Sequence, residues 1–227
     1  MKKGKLILSL ISGLILLAFS ATSGFAYPVS EGQWIYFDRV GTVGGAGGGG
    51  EFSVHDSSGN KLFESFCIER DEYIQLKTLY LVRYISTGAV EGGINVPPDV
   101  SPDPLDTMTA YLFYRYSTGT LSGYDDTDAS ANALQKAIWY IEKEIDTLPT
   151  GLATTFWQDA KDHANGSLYE VRVLNMFEVI YDQGGNPINY INEQDQLIYQ
   201  HTPEPATIIL LGAGLAGLAG ALRRRKK

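Results

Sequence analysis

Hydrophobic and polar positions along this chain follow two periods, and the changes of period mark its parts. Residues 34–40 mix aromatic and β-branched side chains and predict a strand. Residues 51–55 and 61–69 flank Asp56-Ser57-Ser58-Gly59-Asn60 and predict a hairpin. Over 79–86, Leu79, Leu81 and Arg83 alternate with Tyr80, Val82 and Tyr84, a further strand. The period then lengthens. Leu105, Met108, Leu112 and Tyr116 keep helical spacing behind Asp103 as N-cap, Pro104 at the first helical position and Asp106 in the first turn, with Gly119 placed to end the helix. A second helix is predicted over 128–145, with a buried stripe of Leu134, Ala137, Ile138, Ile141 and Ile145. A third is predicted over 155–164, stopped by Asn165-Gly166. Residues 169–181 and 188–199 return to strand patterning around the turn residues Gln183-Gly184-Gly185-Asn186-Pro187. Residues 41–50, with seven glycines, and the Gly- and Pro-rich 91–103 keep no period and predict loops. No Gly-Lys-Ser/Thr follows the glycine tract, so it does not read as a phosphate-binding loop.

Strands, then helices, then strands predict an α+β fold: a largely antiparallel β-sheet or sandwich with a helical insertion. No linker composition interrupts it, so 27–202 reads as one extracytoplasmic domain. The two ends read differently. Lys2, Lys3 and Lys5 precede an apolar run over 6–19, and small residues lead to Gly24-Phe25-Ala26, which makes 1–26 a signal peptide cut after Ala26. At the other end, 203–227 reads Pro203-Glu204-Pro205, an uncharged apolar run over 206–222, then Arg223-Arg224-Arg225-Lys226-Lys227. At 1.5 Å per residue that run spans roughly 26 Å, close to a hydrocarbon core of about 30 Å. The cations can snorkel and stay on the cytoplasmic side, so the run reads as a transmembrane helix with 27–202 outside the cytoplasm.

Proline-glutamate-proline, apolar helix and arginine cluster in this order resemble the PEP-CTERM sorting signal. The resemblance implies an exported protein of bacteria that secrete exopolysaccharide, recognised and trimmed by an exosortase, with the surface or extracellular matrix as its destination. Gly212, Gly214, Gly217 and Gly220 would then belong to the signal, although small residues also suit helix packing. Between the two ends lie ten Lys and Arg against 25 Asp and Glu, a net charge of −15. Such a surface repels nucleic acid and anionic lipid.

Cys67 is the single cysteine, so no internal disulfide is available to it. It lies between Phe66 and Ile68 on a predicted strand, and Gln135-Lys136-Ala137-Ile138-Trp139 lies on the second helix. A cysteine between hydrophobic strand residues followed by a Gln-x-Ala-Ile-Trp helix resembles the internal-thioester domain of bacterial surface adhesins. That family usually has Thr where this chain has Leu134. The resemblance implies a thioester cross-link between Cys67 and Gln135, a water-excluding pocket that includes Phe66 and Trp139, and attachment to a surface amine. The residues alone leave a second reading open. In it Cys67 is a small buried hydrophobe, Gln135 faces solvent, and the protein binds exopolysaccharide without a reactive bond.

Other candidates carry less. Asp125, Asp126 and Asp128 lack EF-hand spacing and suit a helix N-terminus. His55, His163 and His201 show no metal spacing, although a Cys67–His163 nucleophile pair is a further option. No metal or cofactor is implied. No arrangement for turnover is legible, so the chain reads as a non-enzyme.

Overall fold

The computed structural model describes residues 27–41, 49–90 and 102–200. The expected signal peptide and sorting helix lie outside the described residues. Among those described, no helix is long and apolar enough to cross a membrane.

The α+β expectation holds in its sheet form. Six strands, β1 (Trp34–Arg39), β2 (Phe52–Asp56), β3 (Lys61–Ser65), β4 (Tyr80–Ser86), β7 (Val171–Tyr181) and β8 (Pro187–Tyr199), form one sheet. They are antiparallel throughout and run in the order β3-β2-β1-β4-β7-β8. Two-residue strands β5 (Gly88–Ala89) and β6 (Asp103–Pro104) pair beside them. Between β6 and β7 come three helices, α1 (Thr107–Ser117), α2 (Asp128–Ile141) and α3 (Leu152–His163). Both expected hairpins form for a local reason. Asp56 accepts from the Ser58 and Asn60 N–H groups (2.8 and 2.9 Å), and Asp182 accepts from those of Gly184 and Asn186 (2.8 Å each). Each carboxylate thereby mimics the backbone of a turn.

One event that no local pattern announces shapes the sheet. The expected strand over 61–69 stops at Ser65, and the chain leaves β2 to pair with β8 on the far side. Leu197 N–H donates to Phe66 O (3.0 Å), Ile68 N–H donates to Asp195 O (3.2 Å), and Cys67 pairs with Gln196 between them. The two outer strands thus meet and the sheet closes on itself, which covers polar edges that would otherwise stand open. Strand alternation then sends Phe66 and Ile68 to one core and Cys67 to the other. Phe66 and Ile68 join the layer built by Leu112, Leu134, Ile138, Phe156 and Leu197. Cys67 joins the core inside the sheet, with Ile35, Phe37, Tyr80, Val82, Leu174 and Met176.

The helix boundaries differ from expectation for identifiable reasons. Asp103 and Pro104 are not the cap and first turn of α1 but form β6. The cap is Asp106, which has extended backbone angles and accepts from Met108 N–H (2.7 Å). α2 is capped by Thr127, which accepts from Ser130 N–H while Ser130 Oγ accepts from Thr127 N–H, a reciprocal box. It ends at Ile141 because Lys143 turns to a φ of 64°, so Ile145 packs against the sheet core from outside the helix. α3 starts at Leu152, after Gly151 with a φ of 71°. β7 starts at Val171 because Tyr169 and Glu170 hold φ values of 49° and 61°.

Candidate functional site

Gln135 does not face solvent. It is fully buried, as is Cys67. On α2, Leu134, Ala137, Ile138 and Ile141 point into the helical layer, while Trp139, one turn beyond Gln135, reaches the sheet core. The helix therefore buries two faces, and Gln135 lies where they meet the strand carrying Cys67.

Every polar atom of the carboxamide is used there. Gln135 Oε1 accepts from Cys67 N–H and from Gly50 N–H, both at 3.2 Å. The Cys67 thiol lies 3.1 Å from the same oxygen and donates to it. Gln135 Nε2 donates to Cys67 O at 2.8 Å. Two backbone N–H groups aimed at one carbonyl oxygen form the arrangement that stabilises negative charge when a nucleophile adds to the carbonyl carbon. The Cys67 thiol is in direct contact with that amide.

The glycine tract supplies one of those donors. Gly49 and Gly50 are buried against the site. A Cβ on Gly49 would lie 2.5 Å from the Trp139 ring and 3.1 Å from Cys67 Sγ, so only glycine lets the backbone pass. The next residue, Glu51, anchors the passage. Its carboxylate accepts from the Tyr116 hydroxyl at 2.6 Å and from the Tyr124 hydroxyl at 2.7 Å, and its backbone carbonyl accepts from Val40 N–H at 3.3 Å. Burial raises the Glu51 pKa, and the two hydroxyls oppose the rise.

Burial also pushes the Cys67 thiol well above its ordinary range, and the charge of Glu69 pushes in the same direction. Gly50 N–H and the Trp139 indole act against that, favouring a thiolate. Among the described residues the buried indole Nε1 has no other hydrogen-bond partner, which leaves this donor to the sulfur. Beyond Cys67, Glu69 Oε2 accepts from Asp195 N–H at 2.9 Å, and burial raises both carboxyls, Asp195 to about 7.

Of the expected pocket residues, Trp139 packs in the same core as Cys67, whereas Phe66 faces the helical layer and stacks edge-on with Tyr116 at 5.0 Å. His163 bonds Asp159 on its own helix (3.0 Å) and stacks on Tyr111, with no part in the Cys67 site. Asp125 accepts from the Thr127 hydroxyl at 2.6 Å, part of the α2 entry. Gly49, Gly50, Glu51, Tyr116 and Tyr124 escaped the sequence reading. The available signal was a charged residue, Glu51, following the glycines at a strand entrance.

A family model of the PEP-CTERM protein-sorting motif matches residues 201–226. These include Pro203, Glu204, Pro205, Arg223, Arg224 and Arg225. No curated protein and no solved structure matches the chain. The motif marks an exported protein that an exosortase processes, passing through a membrane-held stage on its way to the surface or matrix.

Proposed function

We propose that residues 27–200 attach this exported protein covalently to a primary amine through a thioester between Cys67 and Gln135. The observation that carries the reading is the Gln135 carbonyl oxygen held by two backbone N–H groups with the Cys67 thiol at 3.1 Å. Sγ attacks Cδ, the oxyanion forms where Gly50 and Cys67 N–H already point, and the C–N bond breaks. Ammonia leaves carrying the thiol proton, so atoms and charge balance. Later an amine adds to the same carbon, the C–S bond breaks, and the thiol regains a proton from the amine. Full burial keeps water from the bond in the interval.

The test is methylamine treatment of the exported protein, followed by peptide mass mapping. The expected result is methylamine joined at Gln135 and a newly free thiol at Cys67, with neither change in Cys67→Ala. An unmodified Gln135 in the wild type overturns the reading.

Non-covalent matrix binding has one observation in its favour. Tyr84, Tyr181 and Tyr190 are exposed, and the Arg83 guanidinium lies 4.1 Å from the Tyr190 ring centroid. Exposed tyrosines beside a cation suit stacking on sugar rings. Exopolysaccharide binding that survives Cys67→Ala would favour this reading.

A further inference from the structure

The buried pair shares a wall with a surface pocket, and the lining of that pocket has a sign. Gly49, whose Cβ position is 3.1 Å from Cys67 Sγ, lines it together with Arg39, Arg70, Tyr73 and Ile74. The register explains the meeting. Arg39 ends β1 opposite Phe52, three residues after Gly49, and Arg70 follows Cys67 by three residues.

These two arginines stand apart from the other three between 27 and 200. Arg83 is held over Tyr190, Arg115 donates to Thr120 O, and Arg172 donates to Val171 O. Arg39 and Arg70 are exposed, and among the described residues neither guanidinium makes a hydrogen bond or an ion pair. Near Arg70, Glu144 accepts from the Arg70 backbone N–H at 3.0 Å, and the Arg70 charge also acts on its carboxylate. The acid nearest Arg39 in sequence, Asp38, pairs with Lys77 at 3.6 Å. Two exposed guanidinium groups, Arg39 and Arg70, the second sharing its charge with Glu144, therefore flank one opening on a surface of net charge −15. They favour anionic groups and repel an isolated ammonium. Tyr73, 71 % exposed, and Ile74 add an apolar side.

We infer that the amine taken by this site is one carried close to a carboxylate or sulfate, with the anion seated between Arg39 and Arg70 while the amine reaches past Gly49 to Gln135. This rests on the thioester reading and names its class of substrate. The anion offsets the repulsion that the arginines exert on a cationic amine and orients its nitrogen toward the carbonyl carbon. The covalent step is the aminolysis already written, with no further reactant.

The experiment compares three amines on the exported protein: methylamine, β-alanine and 3-aminopropan-1-ol. The last two have the same length and differ in charge. Adduct formation at Gln135 is followed by mass, with rates expressed per unprotonated amine. We expect β-alanine to react about fivefold faster than the aminoalcohol, a modest ratio suited to exposed charges. The ratio should approach one in Arg39→Gln/Arg70→Gln and in about 1 M salt, where the Debye length is about 3 Å. The methylamine rate should change less than about twofold in the double variant, which shows that the bond and fold persist. A β-alanine ratio of one in the wild type, or one that the double variant leaves unchanged, overturns the inference while the thioester stands. Failure of methylamine to add to the wild type removes both.

Discussion

Gln135 decides the site at the scale of single residues. Its side chain offers two acceptor lone pairs and two donors, and the structure uses them on Gly50 N–H, Cys67 N–H and Cys67 O. From sequence, Gln135→Ala and Cys67→Ala look equivalent, since neither removes much volume. The structure separates them. Gln135→Ala leaves three buried backbone groups without partners and should cost about 3 kcal/mol or more, because each unsatisfied group costs about 1–3 kcal/mol. Cys67→Ala removes one sulfur and should cost about 1 kcal/mol. Both variants lack any cross-link, so thermal melting of the two exported proteins isolates the carboxamide. Equal melting temperatures would show that the carboxamide bonds add nothing. Sequence reading found Cys67, Gln135 and Trp139 because each has a local signature. It did not find Gly49 or Glu51, because a glycine tract reads as a loop wherever it goes, and a close backbone approach leaves no mark on composition.

At the scale of elements, the site is a joint between α2 and the closing strand. The α2 stripe was legible because Leu134, Ala137, Ile138 and Ile141 repeat at helical spacing. Its C-terminal end was not, since a positive φ at Lys143 is set by tertiary contacts and not by residue type. That end carries a titratable contact. Glu142 caps α2, and its Oε1 accepts from the Asp106 N–H at the start of α1 (3.3 Å). Burial raises its pKa from 4.5 to about 8, and the charges of Asp106 and Asp103 add to the rise. A raised carboxyl binds its proton more tightly folded than unfolded. Its contribution is therefore complete below 4.5 and is lost as pH rises through about 8. Asp195, raised to about 7, acts with the same sign. The melting temperature should fall between about pH 5 and about pH 8 by an amount worth a few kcal/mol, at about 1.4 kcal/mol per unit before relaxation. Glu142→Gln should reduce that slope, the other raised carboxyls, Asp195 and Glu69 among them, supplying the remainder. A slope indifferent to the substitution would mean that Glu142 titrates as it does in the unfolded chain.

For the whole molecule, the order of elements predicted the α+β class, and the sorting motif at 201–226 agrees with the reading of Pro203-Glu204-Pro205 and the arginine cluster. Closure of the sheet was not legible. Cys67 pairs with Gln196 across 129 positions of chain, and nothing near either residue specifies the other. That closure brings the cysteine under α2, so the candidate site depends on a contact between distant parts of the chain. The molecule that results separates its tasks along the chain. Its C-terminal motif directs exosortase processing, and the thioester we propose would make the attachment from between the helical layer and the sheet.

The most direct measurement is the intact mass of the exported wild-type protein beside that of Cys67→Ala from the same host, where both share the same processed ends. With a thioester, the wild type exceeds the variant by one sulfur less one ammonia, and tryptic peptides containing Cys67 and Gln135 remain joined. A difference of one whole sulfur, with Gln135 unmodified and the Cys67 thiol free, contradicts the account.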